Sequence, residues 1–370
     1  MPDSIAFVWE NFGPTHADRC EATARHFAGT RLVLGIELAG MSSIYDWQPE
    51  TRAEFQKITL FPGTTIDKVG VVARTLRTVQ ACLSARDIFF CHYENPATFF
   101  SACLLRLSGR RVYVMNDSKF DDKARILWRE RWKRWLHLPY RGGLAAGRRA
   151  TDYMRLNGVP ETRICEGYDN IDFARIRRLA KEPPAPAGVS FADRHFTVVA
   201  RFVPKKNLLT ALLAFATYRG SSSKPRRLVI VGSGPLEPEI RTKITELGLE
   251  AFVELTGFQQ TERVCEILAT SLVLLMPSVE EQFGIAALEA IAMGVPVIVS
   301  DNCGVRDRNV RAGVNGFVVE PDNAVGIAHL MSLLDSDEVR WRQMALACRA
   351  FEDVGDAKVF AESVHTLISS

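Results

Sequence analysis

The stretch PSVEEQFGIAALEAIAMGVPVIVSD, residues 277–301, follows the uncharged run SLVLLM (271–276), and the two together decide how the chain folds. The apolar run reads as a buried strand, and Pro277-Ser278 ends it. The loop VEEQFG leads into a helix expected over 284–293, and a further strand is expected over 296–299. Strand, loop, helix and strand in so short a span is the unit of a parallel sheet. Ligands of such sheets sit beyond the carboxyl ends of the strands, so chemistry is expected in the loop before Gly284. Gly284 allows a ligand close to the backbone, and a helix beginning there offers unpaired N–H groups to phosphate oxygens. Glu281 and Glu289, with seven residues between them, cannot bind phosphate but can accept hydroxyl donors. A ribose diol suits Glu289, and sugar hydroxyls suit Glu281. Taken singly, each glutamate also reads as a solvated charge, Glu281 in a loop and Glu289 complementing a helix dipole.

The same rhythm fills the rest of the chain. Strands are expected at 4–9, 31–36, 87–92 and 111–115, with helices at 14–27, 66–84, 96–107 and 120–137. The proline-rich segment KEPPAPAGVS (181–190) interrupts this pattern and is the best candidate for a domain boundary. Strands then resume at 195–200, 227–231, 252–256 and 272–275, with helices at 207–219, 235–247 and 261–269 between them. The expected organisation is two α/β domains, 1–182 and 183–352, with a last segment, 353–370, returning to pack on the first. At 370 residues the chain is too long for one ordinary core. Its 47% hydrophobic and 24% charged residues are those of a globular enzyme, not of a disordered or fibrous chain. The eight cysteines are scattered without C-x-x-C pairs, so reduced thiols are expected rather than zinc or a disulfide frame. The stretch MPDSIAFVWENF has no leader character, and no segment reaches the ~20 apolar residues of a membrane span. A cytoplasmic location, in places touching the inner face of a membrane, is the expectation.

The segment 277–301, with its Pro-Ser, Glu-x-Phe-Gly, Leu-Glu-Ala and Gly-x-Pro-Val-Ile, resembles the E-x7-E region of glycosyltransferase family 4. These are retaining enzymes of the GT-B fold, two Rossmann-like domains facing across a cleft, that use nucleotide sugars. The resemblance implies that Glu281 contacts the donor sugar and Glu289 the ribose. Ser278, Gln282, Phe283, Gly284 and Ile285 are implied as further donor contacts. In VVARFVPKKNLLTALLAF (198–215), Arg201 and Lys206 stand five apart across a turn. Two cations at the end of a strand are costly to cluster unless an anion joins them, although a solvated basic turn is a common alternative. The segment resembles the family's Arg-x4-Lys pair, which implies that Arg201 and Lys206 grip the donor diphosphate. Asn207 stands where the family often has glycine. Gly257 and Phe258, after the strand in VELTGFQQ (253–260), are implied to line the nucleotide base. The G-S-G-P turn (232–235) is weak evidence by itself.

The first half is less typical. Only Gly13 stands where related enzymes carry a Gly-Gly loop, with Pro14 opening the helix after it. Gly13 is a candidate to bring backbone N–H groups to the diphosphate; His16 is either near the site or a helix-surface residue. Where the family has a histidine after the fourth of these strands, this chain has Asn116-Asp117-Ser118. Asn116 is the candidate catalytic replacement, with His92 and Asp117 as alternatives. In DDKARILWRERWKRWLHLPYR (121–141), Trp128, Trp132, Trp135 and Leu136 form one helical stripe among cations. From Arg106 to Arg155 there are fourteen Lys or Arg against five Asp or Glu. The stripe either packs on the first sheet, the reading placed first, or touches anionic lipid. No recognised nucleic-acid motif accompanies the charge, and no nucleic-acid partner is expected.

The expected function is therefore retaining, metal-independent sugar transfer from a nucleoside diphosphate to an acceptor hydroxyl, as in surface polysaccharide synthesis. The donor is a co-substrate and no cofactor is expected. The acceptor is a glycan, a lipid-linked molecule or a small molecule. A sugar-nucleotide epimerase and a non-catalytic partner subunit are the alternatives.

Overall fold

The computed structural model describes residues 4–42 and 54–370. The chain divides into two compact units, residues 1–172 with 356–370, and residues 173–355. The first unit runs β1 (Ser4–Trp9), α1 (Pro14–His26), β2 (Leu32–Ala39), β3 (Gln56–Phe61), α2 (Val71–Cys82), β4 (Ala85–Phe90), α3 (Pro96–Leu107), β5 (Arg111–Asn116), α4 (Leu127–His137), β6 (Gly142–Ala145), α5 (Arg148–Leu156) and β7 (Ile164–Glu166). Its strands are all parallel in the order β3-β2-β1-β4-β5-β6-β7. The second unit runs α6 (Phe173–Ala180), β8 (His195–Val199), α7 (Leu208–Ser221), β9 (Leu228–Val231), α8 (Glu237–Glu246), β10 (Val253–Gly257), α9 (Thr261–Ala269), β11 (Ser271–Met276), α10 (Ile285–Ala292), β12 (Val297–Ser300), β13 (Gly316–Val319), α11 (Ala324–Ser336), α12 (Glu338–Ala347) and α13 (Glu352–Gly355). Its parallel order is β10-β9-β8-β11-β12-β13. The runs LVIV, SLVLLM and VIVS are buried along their whole length, as strands covered by helices on both faces must be.

A closing helix, α14 (Ala357–Ser369), completes the first unit. Phe360, Val364, Leu367 and Ile368 are buried in the same apolar cluster as Phe7, Trp9 and Phe89. Its last turn is fixed by side chains of β5: Tyr113 donates to the Leu367 carbonyl at 3.2 Å and Arg111 to that of Ile368 at 2.8 Å.

Four expectations need correction. The boundary lies at 172/173, not 182/183. Residues 173–190 are packed into the second unit: Arg177 donates to the Ala292 carbonyl at 3.0 Å, and the Ala185 N–H donates to that of Met293 at 2.8 Å. The proline-rich segment is thus a fitted strap, with Ala185 wholly buried. The return to the first unit likewise falls at 355/356 rather than 352/353. The helix expected at 120–137 is broken into a short turn at Phe120–Asp122 and α4.

The fourth correction concerns the tryptophan stripe, which does not pack on the sheet. Trp128, Trp132 and Trp135 are 61%, 65% and 61% exposed. The buried side of α4 carries Glu130 and His137, with Lys133 largely covered. Tyr153 donates to Glu130 at 2.5 Å and accepts from Lys133 and Arg125 at 3.0 Å each. Lys133 also pairs with Glu94 at 2.6 Å, and the His137 ring lies 4.3 Å from that of Tyr93. The helix is held to its unit by its polar side.

Candidate active site

A sheet whose strand order reverses leaves a crevice at the carboxyl edge, between the loops of the two strands flanking the reversal. In the second unit β8 is followed by β9 on one side, while β11 lies on the other. The crevice therefore opens between the loops after β8 and β11. Those loops carry Arg201 and Lys206 on one side, and Ser278, Glu281, Gln282, Phe283 and Gly284 on the other.

The two loops are tied together. The Lys205 carbonyl accepts from the N–H groups of Val279 at 2.9 Å and Glu280 at 3.3 Å. Asn207 donates to the carbonyls of Pro277 at 3.1 Å and Pro321 at 2.7 Å. It does so from a left-handed backbone, φ 55°, which asparagine tolerates and which explains its place in a position suited to glycine. Lys206 donates to Glu281, and Ser278 donates to the same carboxylate oxygen at 3.2 Å. The sequence assigned Lys206 and Glu281 to different parts of one ligand; the structure makes them partners. Both are largely buried, at 15% and 12% side-chain exposure, so neither swings freely in solvent.

The far side of loop 277–284 rests on residues 300–305. Ser300 donates to the Ser278 carbonyl at 2.5 Å, and the Val305 N–H donates to that of Phe283 at 2.8 Å. Gly304 is needed for this contact, since a Cβ there would stand 2.0 Å from the Gln282 carbonyl oxygen. Cys303 lies beneath Glu281, its thiol pushed up to about 12 by burial and by the Glu281 charge, so it remains neutral. Gly284 caps α10 with φ 111°, a conformation that disfavours side chains. Ile285 begins that helix and Glu289 lies one turn on, half-buried. Phe283 is buried and anchors the loop through its ring, so its contribution toward a ligand is limited to its backbone.

Gly257 and Phe258 lie on the same carboxyl edge, two strands away, where the Gly257 carbonyl accepts from the Gly232 N–H at 2.9 Å. Phe258 is exposed. Around the adjacent turn, Phe202 donates to the Ser233 carbonyl at 2.8 Å, which fixes the backbone next to Arg201.

In the first unit the order reverses between β1 and β4. Gly13 stands on the loop after β1, and His92, at φ 56°, on the loop after β4. The Gly13 N–H donates to His16 Nδ1 at 2.9 Å, so the imidazole closes the start of α1. Burial, with Arg19, His92 and Lys57 nearby, holds His16 well below its ordinary value and keeps it neutral. His16 is thus a capping residue packed at a tilt against Trp9, with ring centroids 4.7 Å apart. Asn116 ends β5 alongside His92, but its carboxamide oxygen accepts from the Ser118 N–H at 3.1 Å and shapes its own turn. Burial raises the Asp117 carboxyl, opposed by His92.

The clamp formed by Asn207 and the partnership of Lys206 with Glu281 were not foreseen. The αL requirement at Asn207 was the one signal of the former; a separation of 75 positions hid the latter. A cavity of about 1160 Å³ opens at the opposite, amino edge of the second sheet. Two of its cations are paired, Arg226 with Asp335 at 2.5 Å and Arg227 with Glu254 at 3.1 Å. Among the described residues, no three His, Cys, Asp or Glu side chains are grouped to hold a metal ion.

Residues 190–349 match the family model described as glycosyl transferases group 1. The chain is 31% identical over 192 residues to WcaL of Escherichia coli K12, a provisionally named colanic acid biosynthesis glycosyltransferase; the match covers 49% of this chain and 45% of that protein. It is 29% identical over 158 residues to the amylovoran biosynthesis glycosyltransferase AmsK of Erwinia amylovora, covering 41% and 38%. The chain thus spans under half the length of either relative. The crystal structure of Anabaena HepE with UDP and glucose superposes with a TM-score of 0.73 at 16% identity, over 99% of both chains. The fold is GT-B: two α/β domains, each on a parallel sheet.

Proposed function

We propose that this GT-B chain is a retaining glycosyltransferase that takes a sugar from a nucleoside diphosphate and adds it to an acceptor hydroxyl in polysaccharide synthesis. The observation that carries the reading is the zipped pair of loops at the strand reversal of the second sheet. They set two cations, a carboxylate and a helix start at one carboxyl edge. A nucleoside diphosphate sugar has complementary chemistry: two phosphates for Arg201, Lys206 and the N–H groups after Gly284, and hydroxyls for Glu281 and Glu289. Gly257 and Phe258 on the same edge suit a flat base. The likeness to colanic acid and amylovoran enzymes, and to a fold solved with UDP, supports this donor and a glycan product.

In this reaction the bond from the anomeric carbon to the diphosphate oxygen breaks, and one to the acceptor oxygen forms on the same face. The acceptor proton passes to the departing phosphate oxygen. Charge building on that phosphate is met by Arg201, Lys206 and the α10 start, so the reading assigns no step to a metal. Glu281 holds the sugar and, through Lys206, sets the cation that the phosphate then shares. The acceptor hydroxyl belongs with the first unit, where Gly13, His92, Asn116 and Asp117 lie near the carboxyl edge of its sheet. Thermal shift and calorimetry with UDP-, GDP-, TDP- and ADP-sugars test the reading. One of them should raise the melting temperature, and Glu289→Ala should weaken that ligand about tenfold or more. A chain that none of the four stabilises refutes it. Epimerised nucleotide sugar formed without acceptor would favour an epimerase instead.

A further inference from the structure

The orientation of α4 is unlike that of any helix needed only to cover a sheet. With 100° between successive residues, Glu130, Lys133 and His137 share one side, and Trp128, Trp132 and Trp135 the opposite one. The buried side is the polar one, satisfied by Tyr153, Arg125 and Glu94. Leu127 and Leu138 are exposed with the indoles. Glu130 is the only carboxylate in α4 and it points inward, whereas Arg129, Arg131 and Arg134 are all exposed. The neighbouring acidic residues are also committed, Asp122 to Lys119 and Asp152 to Arg148 and Arg155.

The surface extends beyond one helix. The crossovers through α2, α3 and α4 all run in the same direction across the sheet, from β3 to β4, β4 to β5 and β5 to β6. Right-handed crossover places all three helices on one face. On it α3 exposes Phe100, Leu104 and Leu107, and α2 exposes Val72 and Leu76. This is a broad, apolar, cationic layer rather than a groove.

We infer that this face of the first unit docks on the surface of an anionic lipid bilayer, with the α4 tryptophans at the headgroup level and the flanking arginines on lipid phosphates. Indole rings suit the boundary between water and acyl chains, and cations beside them add attraction for negative headgroups. A second copy of the chain would bring the same positive face, which repels itself. Single-stranded nucleic acid would use the indoles and arginines but leave the aliphatic side chains of α2, α3 and α4 without a partner. Among the described residues no helix is long and apolar enough to cross a membrane, so the contact is with a surface.

The test is co-sedimentation of the full chain with phosphatidylcholine vesicles and with vesicles also containing phosphatidylglycerol, at low and high salt. The expected result is pelleting with the anionic vesicles only, weakened by salt, with a blue shift of tryptophan emission. Arg129→Ala/Arg131→Ala should weaken binding roughly thirty-fold. Trp128→Ser/Trp132→Ser/Trp135→Ser should abolish it, and an unchanged melting transition would show that the variant is folded. Equal recovery with both vesicle types, or with neither, overturns the inference. So does vesicle binding that survives both variants. Self-association lost in the tryptophan variant without vesicle binding would assign the face to a second copy, and oligonucleotide binding in place of vesicles would assign it to nucleic acid.

Discussion

Lys206 and Glu281 show what a single pair of side chains contributes at this site. A largely buried pair that loses one member leaves a charge without its counterpart, which commonly destabilises by about 3–5 kcal/mol. On the proposed reading the cation also meets a diphosphate, so the two effects can be separated. Glu281→Gln keeps the shape and the Ser278 contact; it should lower kcat about a hundredfold while leaving nucleotide affinity within a few-fold. Lys206→Ala should lower nucleotide affinity as well, measured by calorimetry. A purely structural pair would shift the melting temperature in both variants and leave affinity alone. Asn207 offers a second experiment at this scale. Asn207→Gly accepts the left-handed backbone but loses the bonds to Pro277 and Pro321. Asn207→Ala loses both advantages. Denaturation should rank wild type above glycine above alanine, with about 1–2 kcal/mol for the first step and ~1 more for the second. Equal stability of the two variants would show that the backbone conformation is immaterial.

Among the elements, the strands of the second unit were the most legible. Charge-free runs such as SLVLLM have one reading once turn residues bound them. β6 was not legible, because its sequence is Gly-Gly-Leu-Ala. A Cβ on Gly142 would stand 2.5 Å from the Arg163 carbonyl oxygen, and one on Gly143 would stand 2.9 Å from that of Val114. Close strand approach removed the very side chains that reveal strands. For α4 the periodicity gave the stripe correctly but not its direction, since a buried ionic network competed for the inner side. The glutamate pair around Gly284 announced the loop that carries it; the tie to Lys206 depends on strand order, which periodicity does not contain. Elements of this chain also bury neutral imidazoles. Burial lowers His137 at the end of α4 and His195 at the start of β8, as it lowers His16 at the start of α1. Each is depressed when folded and returns to about 6.5 when unfolded. Below that value the unfolded chain binds more protons, so stability is complete above pH ~6.5 and declines as pH falls through the folded values. Thermal melts should therefore drop as pH falls from 6.5 to 5. A flat profile over that interval would contradict the assignment of buried, neutral rings.

At the scale of the molecule, the chain passes from the first unit to the second at 172/173 and returns at 355/356. The second unit is therefore a continuous segment, and residues 173–355 expressed alone should fold and keep the nucleotide response of the whole chain. The first unit is not continuous. Deleting 356–370 strips four buried apolar side chains from its core, worth on the order of 6 kcal/mol or more, comparable to the whole stability of a domain. The truncated chain should aggregate or lose the melting transition of its first unit, as calorimetry can record. A single unaltered transition would show that α14 is dispensable.

That interrupted path also sets a timetable for synthesis. As the polypeptide emerges from the ribosome, the second unit can finish folding while its predecessor still waits for the helix translated after it. Until α14 arrives, Phe7 and Trp9 lie under an unfinished roof, and the nascent first half is the part a chaperone would have to shelter.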